Sequence, residues 1–391
     1  MGSKKNKLKR VVLWIVVVAI SSAIIFFGNR FSADGLNIFV NGTGDNVRGN
    51  VVKIIGKETT ENVGGSLGNY KTETIRFTAV ISDGKDKGKQ VMATQSLNNM
   101  YAGADTIREV KEGDRILLME VNIPGTEKNE WKFMDYYRMD KIFMLAGAFA
   151  LLLVLLGGIK GINTIVSLGF TFGFVFFVFV PWIMNGYNVY LGVIGTCLFT
   201  IVMTLLLING ATKKSFVTMA GCASGTIVAA GVTYIMNYFL HLSGFIDEHS
   251  VYLTMVNPNK PVDLVAIVFA AIIIGALGAI MDVAMDISSS LYELSEHVPD
   301  ISFKKLVSSG MRIGSDIMGT MANTLVLAYI GSSLCSVMLL ITYSASIDVL
   351  LNRELVIVEI LQALTGSVAI LLTAPLTVLI SGMVYIKKKG R

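Results

Sequence analysis

Eight stretches of this chain are apolar and almost free of charge over lengths that match a hydrocarbon layer, and nothing else in the sequence restricts the fold as much. Inside hydrocarbon every backbone N–H and C=O must be satisfied within the segment, so a crossing helix needs about 20 mostly apolar residues. The stretches are residues 11–27, 141–158, 162–184, 189–209, 215–240, 262–286, 316–343 and 356–386. Of the 391 residues 53% are hydrophobic and 16% charged, with most charges between the stretches, the pattern of an integral membrane protein whose main partner is the lipid bilayer. The first stretch follows the basic run KKNKLKR and precedes GNRFSADG, which lacks an evident small-residue cleavage site. It reads as a retained anchor helix rather than a signal peptide.

Charge sets the expected orientation. With the N-terminus in the cytoplasm, the inner segments carry Lys4, Lys5, Lys7, Lys9, Arg10, Lys160, Lys213, Lys214, Lys304, Lys305, Arg312, Lys387, Lys388, Lys389 and Arg391, whereas the short outer loops carry Lys260 and Arg353. Positive charge is retained inside, so both termini and the 286–311 loop are expected in the cytoplasm of a multi-pass cell-membrane protein. The same topology sets Trp131, Tyr136, Tyr137, Trp182, Tyr187 and Tyr190 at the outer interface, where amphipathic rings concentrate.

Three regions follow: a basic tail and anchor helix at 1–29, a polar insertion at 30–138, and seven helices at 139–391. The insertion is long enough to be a small extracytoplasmic domain and reads as β. Ile75, Phe77, Ala79 and Ile81 alternate with Thr74, Arg76, Thr78 and Val80, the period of a half-buried strand. DGKDKGKQ then makes a turn into VMATQSL, a hairpin signal, and NVRGNVVKIIGKE and KEGDRILLMEVNI supply further strands. A barrel-like or sandwich-like module is expected, with flexible Gly- and Asn-rich loops at 41–50 and 62–69. The fold class is therefore an α-helical polytopic membrane protein with an inserted β-rich domain.

Several chemistries find no residues to carry them. Cys197, Cys222 and Cys335 lie inside apolar runs, and the long polar segment has no cysteine, which argues against disulfides and cysteine metal sites. His241, His249 and His297 stand isolated in expected loops, and no P-loop is present. Any transport would be secondary or partner-driven, and nothing calls for a cofactor or a nucleic acid. Gly169 with Gly173 and Gly221 with Gly225 are small-residue pairs that let helices approach closely, a scaffolding feature. FGFVFFVFVPW, residues 172–182, reads as a packed or lipid-facing aromatic helix ending at Pro181.

The polar residues inside the spans are more informative. Helical spacing aligns Gly275, Gly278, Asp282, Asp286 and Glu293 on one stripe, small residues above and acidic ones below. Asp282 lies about 27 Å along a helix begun at Leu264, near the inner edge of a hydrocarbon layer of ~30 Å. On the next span Arg312, Asp316, Thr320 and Asn323 share a face, entering from the same side, so the two stripes are expected to meet. Structurally, Arg312 would be the partner of Asp282, Asp286 or Asp316 and would fix the packing of the two helices. Functionally, three carboxylates against one arginine leave surplus negative charge for a cation or a proton, with Thr320 and Asn323 extending the path. For a metal, Asp282, Asp286 and Asp316 are the candidates, and oxygen ligands suit Mg²⁺, Ca²⁺ or Mn²⁺.

The same residues carry a resemblance. GALGAIMDVAMDISSSLYEL followed by SFKKLVSSGMRIGSDIMGTMANTLVLAYIGSSL, a signature over 275–333, resembles the YibE/F-like family of bacterial multi-pass membrane proteins. The resemblance extends more loosely over most of the chain. It implies a polytopic protein of the cell membrane with transport suspected, and brings no agreed substrate or catalytic residues. Asp286 and Ser315 depart from the family pattern, which favours Asp282 and Asp316 as functional candidates. IGSD stands where a membrane aspartyl protease would need GxGD, so an enzyme is not expected. Two readings result: a secondary transporter or permease-like exporter using the carboxylates, or a non-transporting assembly, scaffold or sensor protein acting through its outer β domain, with a membrane partner or a second copy.

Overall fold

A computed structural model describes residues 2–34, 46–63, 69–98, 108–122, 129–246, 248–255, 261–298, 300–344 and 346–386. The chain divides into two compact units, Phe39–Leu152 and Met1–Ile38 with Leu153–Arg391.

The first unit contains β1 (Asn46–Val63), β2 (Asn69–Ile81), β3 (Gln90–Asn98), β4 (Arg115–Asn122) and β5 (Asn129–Tyr136). They form a closed barrel in the order β1-β2-β3-β5-β4, in which β3 and β5 run parallel. Closure requires β1 to pair with both β2 and β4. Register shifts between Val51 and Lys53 and between Ile54 and Gly56 accompany this, since an extra residue bends and twists a strand. The expected alternation holds: Ile75, Phe77, Ala79 and Ile81 point inward and pack with Val47, Val51, Ile116 and Leu118.

One expectation changes. Parts of 41–50 and 62–69 are strand, with 41–45 and 64–68 outside the described residues. Gly49 lies in β1, where a side chain would begin 2.8 Å from Leu118 Cδ1. Trp131, Phe133 and Tyr136 pack, partly buried, against the barrel core, and a register shift between Leu117 and Leu118 in the β4–β5 pairing separates Phe133 from Tyr136.

The barrel surface carries the ion pairs. Arg48 donates from its backbone N–H and its Nε to Asp83, at 2.6 and 2.5 Å. Partial burial pushes the Asp83 carboxyl up, but these bonds outweigh it and hold the group below the usual carboxylate range. A depressed folded pKa contributes stability above the unfolded value of about 3.9, and that stability is lost as pH falls through the lower folded value. The effect is small because both side chains are well solvated. Asp83→Asn is thus expected to speed amide exchange in β1 and β2 at neutral pH and to match the wild type in strong acid. A gap that persists in acid would show that the ion pair is not its source.

The remaining elements are helical. α1 is Gly2–Ser32, α2 Met139–Gly157, α3 Ile159–Phe174, α4 Val180–Met184, α5 Val189–Asn209, α6 Lys213–Leu240, α7 Glu248–Met255, α8 Leu264–His297, α9 Phe303–Tyr343, α10 Ile347–Leu351 and α11 Glu354–Tyr385. Among the described residues eight helical segments are long and apolar enough to cross a membrane. Caps written in the sequence start several of them: Asn188, Thr212, Asp263 and Ser302 accept from the backbone N–H three residues on. The helix expected to end at Pro181 runs on to Met184 through a π turn at Val175–Phe179. Proline has no N–H to give, and the wider turn takes up the mismatch.

The expected 286–311 loop is mostly helix, since α8 continues to His297 and α9 begins at Phe303. These extensions are too polar to read as membrane-spanning. They form because Ile287, Leu291 and Leu306 recur at helical spacing and bury together against Val378 of α11.

The bundle core is built from α6, α8 and α11. α11 presents Thr365, Ala369, Thr373, Thr377, Ser381 and Tyr385 at intervals of four, all buried. Gly221 and Gly225 of α6 lie against Thr377 and Thr373, so this glycine pair does serve packing. The Ser288 hydroxyl of α8 lies 2.6 Å from the Tyr385 hydroxyl. At the other end, Glu354 accepts from the N–H groups of Ser243 and Gly244 and from the Ser243 hydroxyl, tying α6 to α11. Phe31 of α1 stacks with Tyr187 and Trp182, and Asn185 donates to the Ser32 carbonyl, which fastens α1 to the α4–α5 turn.

Candidate functional site

The long apolar run after the Asp263 cap makes α8, and the distribution of its small and acidic residues decides what each side does. Ala266, Ile273, Ala276, Ile280, Ala284, Ile287 and Leu291 are buried, while Gly275, Gly278, Asp282, Asp286 and Glu293 are exposed. At one edge of this open stripe Met285 meets Asn209 of α5, Nδ2 to Sδ 4.0 Å. Ile287 and Leu291, which reach Gly314 and Gly310 of α9, lie on the opposite side of α8. The stripe is therefore the open side of α8, with α5 at one edge and α9 packed behind it.

The stripe is acidic and open. Among the described residues no atom lies within 4 Å of where a side chain at Gly278 would begin. Asp282 is within electrostatic range of Asp286, and Asp286 and Glu293 both act on Lys214 at the start of α6. Among the described residues every salt bridge lies in or beside the barrel, so none neutralises these carboxylates. Nor, among the described residues, do three His, Cys, Asp or Glu side chains converge as a bound metal would need.

The second stripe behaves differently. α9 buries Leu306, Gly310 and Gly314, and the two glycines give it close approach to α8 and α11. Arg312 and Asp316 each follow a buried glycine by two residues, about 200° around the helix, and Thr320 and Asn323 continue that side. All four are exposed. The register set by Gly314 against Ile287 and Gly310 against Leu291 brings Asp316 level with Asp286, and Thr320 level with Asp282. The expected meeting of the stripes does not occur in one copy of the chain: they share a depth but not a face. Arg312 makes no ion pair with Asp282, Asp286 or Asp316 among the described residues.

Further along α8 the stripe meets a polar group that sequence reasoning did not select. Tyr329 of α9 and Gln362 of α11 both reach Gly275, where a side chain would begin 2.7 Å from the Tyr329 hydroxyl and 3.1 Å from Gln362 Nε2. Glu359, one turn before Gln362, is half-buried and acts electrostatically on Tyr329. A signal was present, since Glu359, Gln362 and Gly366 fall at i, i+3 and i+7 at the start of the last apolar run.

The family comparison agrees with the signature. The family model described as YibE/F-like protein matches residues 145–387, which includes all of α8, α9 and α11. No curated protein matches, and no solved structure matches.

Proposed function

The chain belongs to the YibE/F-like family, and we propose that this multi-pass membrane protein is a secondary permease that moves a small cation, a proton included, along the acidic stripe of α8. One observation carries the reading. Asp282 and Asp286 follow an uncharged run from Leu264 to Met281 and stand exposed without a cationic side chain paired to them. Hydrocarbon offers a carboxylate nothing, so such groups lie against protein or line water. Beside Asp282 and Asp286 this side of α8 is open among the described residues, up to where Tyr329 and Gln362 meet Gly275, which leaves water and the cations it carries to satisfy the two carboxylates.

Positive charge on the Lys9, Lys160, Lys213 and Lys304 side supports a cytoplasmic mouth in the cell membrane, with the barrel outside. The test is flux in proteoliposomes, across a panel of monovalent and divalent cations and under an imposed proton gradient. Uptake above that of protein-free liposomes for at least one of them is expected. Its absence across the whole panel, in protein that remains monodisperse, would overturn the reading.

The outward side of α9 favours a second reading. Arg312, Asp316, Thr320 and Asn323 are as poorly suited to lipid as the α8 carboxylates are, and they face away from the bundle. A protein partner or a second copy of the chain seated there would satisfy them, which fits an assembly role with or without transport.

A further inference from the structure

The acidic stripe described above accounts for polar groups near one edge of the membrane, and the Tyr329, Gln362 and Glu359 group lies toward the other. Counted from Glu354, Glu359 is about 8 Å and Gln362 about 12 Å along α11. Gly275 is about 17 Å along α8 from Leu264, some 10 Å beyond Asp282 in the direction of Glu359. The Gly275 side of α8 thus leads from Asp286 and Asp282, past the open space at Gly278, to the point where Tyr329 and Gln362 converge.

The residue types fit one another there. Gly275 has no side chain, and that leaves room for a hydroxyl and an amide from two other helices. Glu359 makes no ion pair among the described residues and is half-buried. Gly366, one turn beyond Gln362, approaches Leu325 of α9 and Ala276 of α8, so this side of α11 faces the seam between those helices and not lipid.

We infer that Tyr329 and Gln362, which meet over Gly275, form with Glu359 one turn away on α11 a second cation site, which completes the path begun by Asp286 and Asp282, with the Tyr329–Gln362 contact over Gly275 as its constriction. The inference rests on the transport reading for its role, but the site makes a demand of its own: the seam must admit water and small cations.

Cysteine accessibility tests that demand. Gln362→Cys and Leu364→Cys are made with the exposed Cys335 replaced, and an impermeant cationic thiol reagent is applied to intact cells and to inverted vesicles. Leu364 is 58% exposed on the same helix but about 200° away from Gln362, where lipid suppresses the thiolate. Reaction at position 362 at least about tenfold faster than at 364 is expected, a difference of about 1.4 kcal/mol in barrier. Equal, slow rates would overturn the site. If Gln362→Cys fails to assemble, Glu359→Cys carries the same comparison. Flux separates the two readings: reaction at 362 with no cation flux rejects transport and keeps a hydrated polar seam, whereas flux abolished by Asp282→Asn with an inert 362 rejects the seam alone.

Discussion

Asp282→Asn is expected to reduce cation flux to that of protein-free liposomes, while Asp316→Asn leaves flux unchanged and both variants remain monodisperse. The amide keeps the shape of the carboxylate and removes its charge, so a path that depends on attracting a cation fails and the fold does not. The structure predicts little loss of stability because Asp282 is exposed and pairs with no arginine or lysine among the described residues. A buried ion pair would behave otherwise, since removing one partner strands the other at a cost of about 3–5 kcal/mol. Asp316 is the matched control. It lies level with Asp286, one turn from Asp282, but on the far side of α9, away from Gly310 and Gly314. Flux measured beside the thermal midpoint of each purified variant decides between these accounts. Equal losses of flux in both variants, or a large fall in the midpoint of Asp282→Asn, would remove Asp282 from the path.

Gly225→Val is expected to prevent assembly of the bundle. Valine's first side-chain carbon would begin 2.0 Å from the Thr373 hydroxyl oxygen, 2.8 Å from an Ile280 methyl and 3.1 Å from Thr373 Cβ. Thr373 is short, fully buried and held to the Ala369 carbonyl at 2.6 Å, and Ile280 is equally buried. Neither can swing aside, so α6 must part from α8 and α11 at their common junction. Overpacking a core usually costs about 1–3 kcal/mol, and a clash against two neighbouring helices at once belongs at or above that upper end. Aggregation on size exclusion, or a thermal midpoint far below the wild type, is the expected result. Gly231→Val on the same helix, where no atom lies within 4 Å, should be tolerated. A well-behaved Gly225→Val protein with a wild-type midpoint would show that this contact is not what joins the helices.

These contrasts mark how far the sequence could be read. The spans follow from hydrophobic length alone, because lipid permits few other backbone arrangements. The inward row of β2 follows from alternation, because a strand in a small barrel has one dry side. β5 was legible in principle, since NEWKFMDY alternates Trp131 and Phe133 with Lys132 and Met134, but the run is short and charged. The helical continuations of α8 and α9 were hidden by their polarity. Apolar length detects burial in lipid, and these segments bury their apolar side in protein.

The site was legible to the level of stripes and no further. Helical spacing aligned Asp282 with Gly275 and Gly278, and Arg312 with Asp316, Thr320 and Asn323. Periodicity fixes the angle between residues on one helix but leaves free the rotation of that helix against its neighbours. Gly310 and Gly314 set that rotation for α9 by allowing the closest approach, which turns Arg312 and Asp316 outward. The same freedom concealed Tyr329, Gln362 and Glu359, which are far apart in the chain and gather only where α8, α9 and α11 cross.

By itself, then, the sequence determined the eight long apolar segments, the β character of the insertion, the family, and the distance of each carboxylate along its helix, because these depend on local composition and on counting residues along a helix. Only the tertiary structure decided that the insertion closes into a barrel, that the two polar stripes face different ways, and that a glycine on α8 is met by a tyrosine and a glutamine. Those outcomes depend on which small residues let which helices touch, a matter of contact between distant segments that no local pattern encodes.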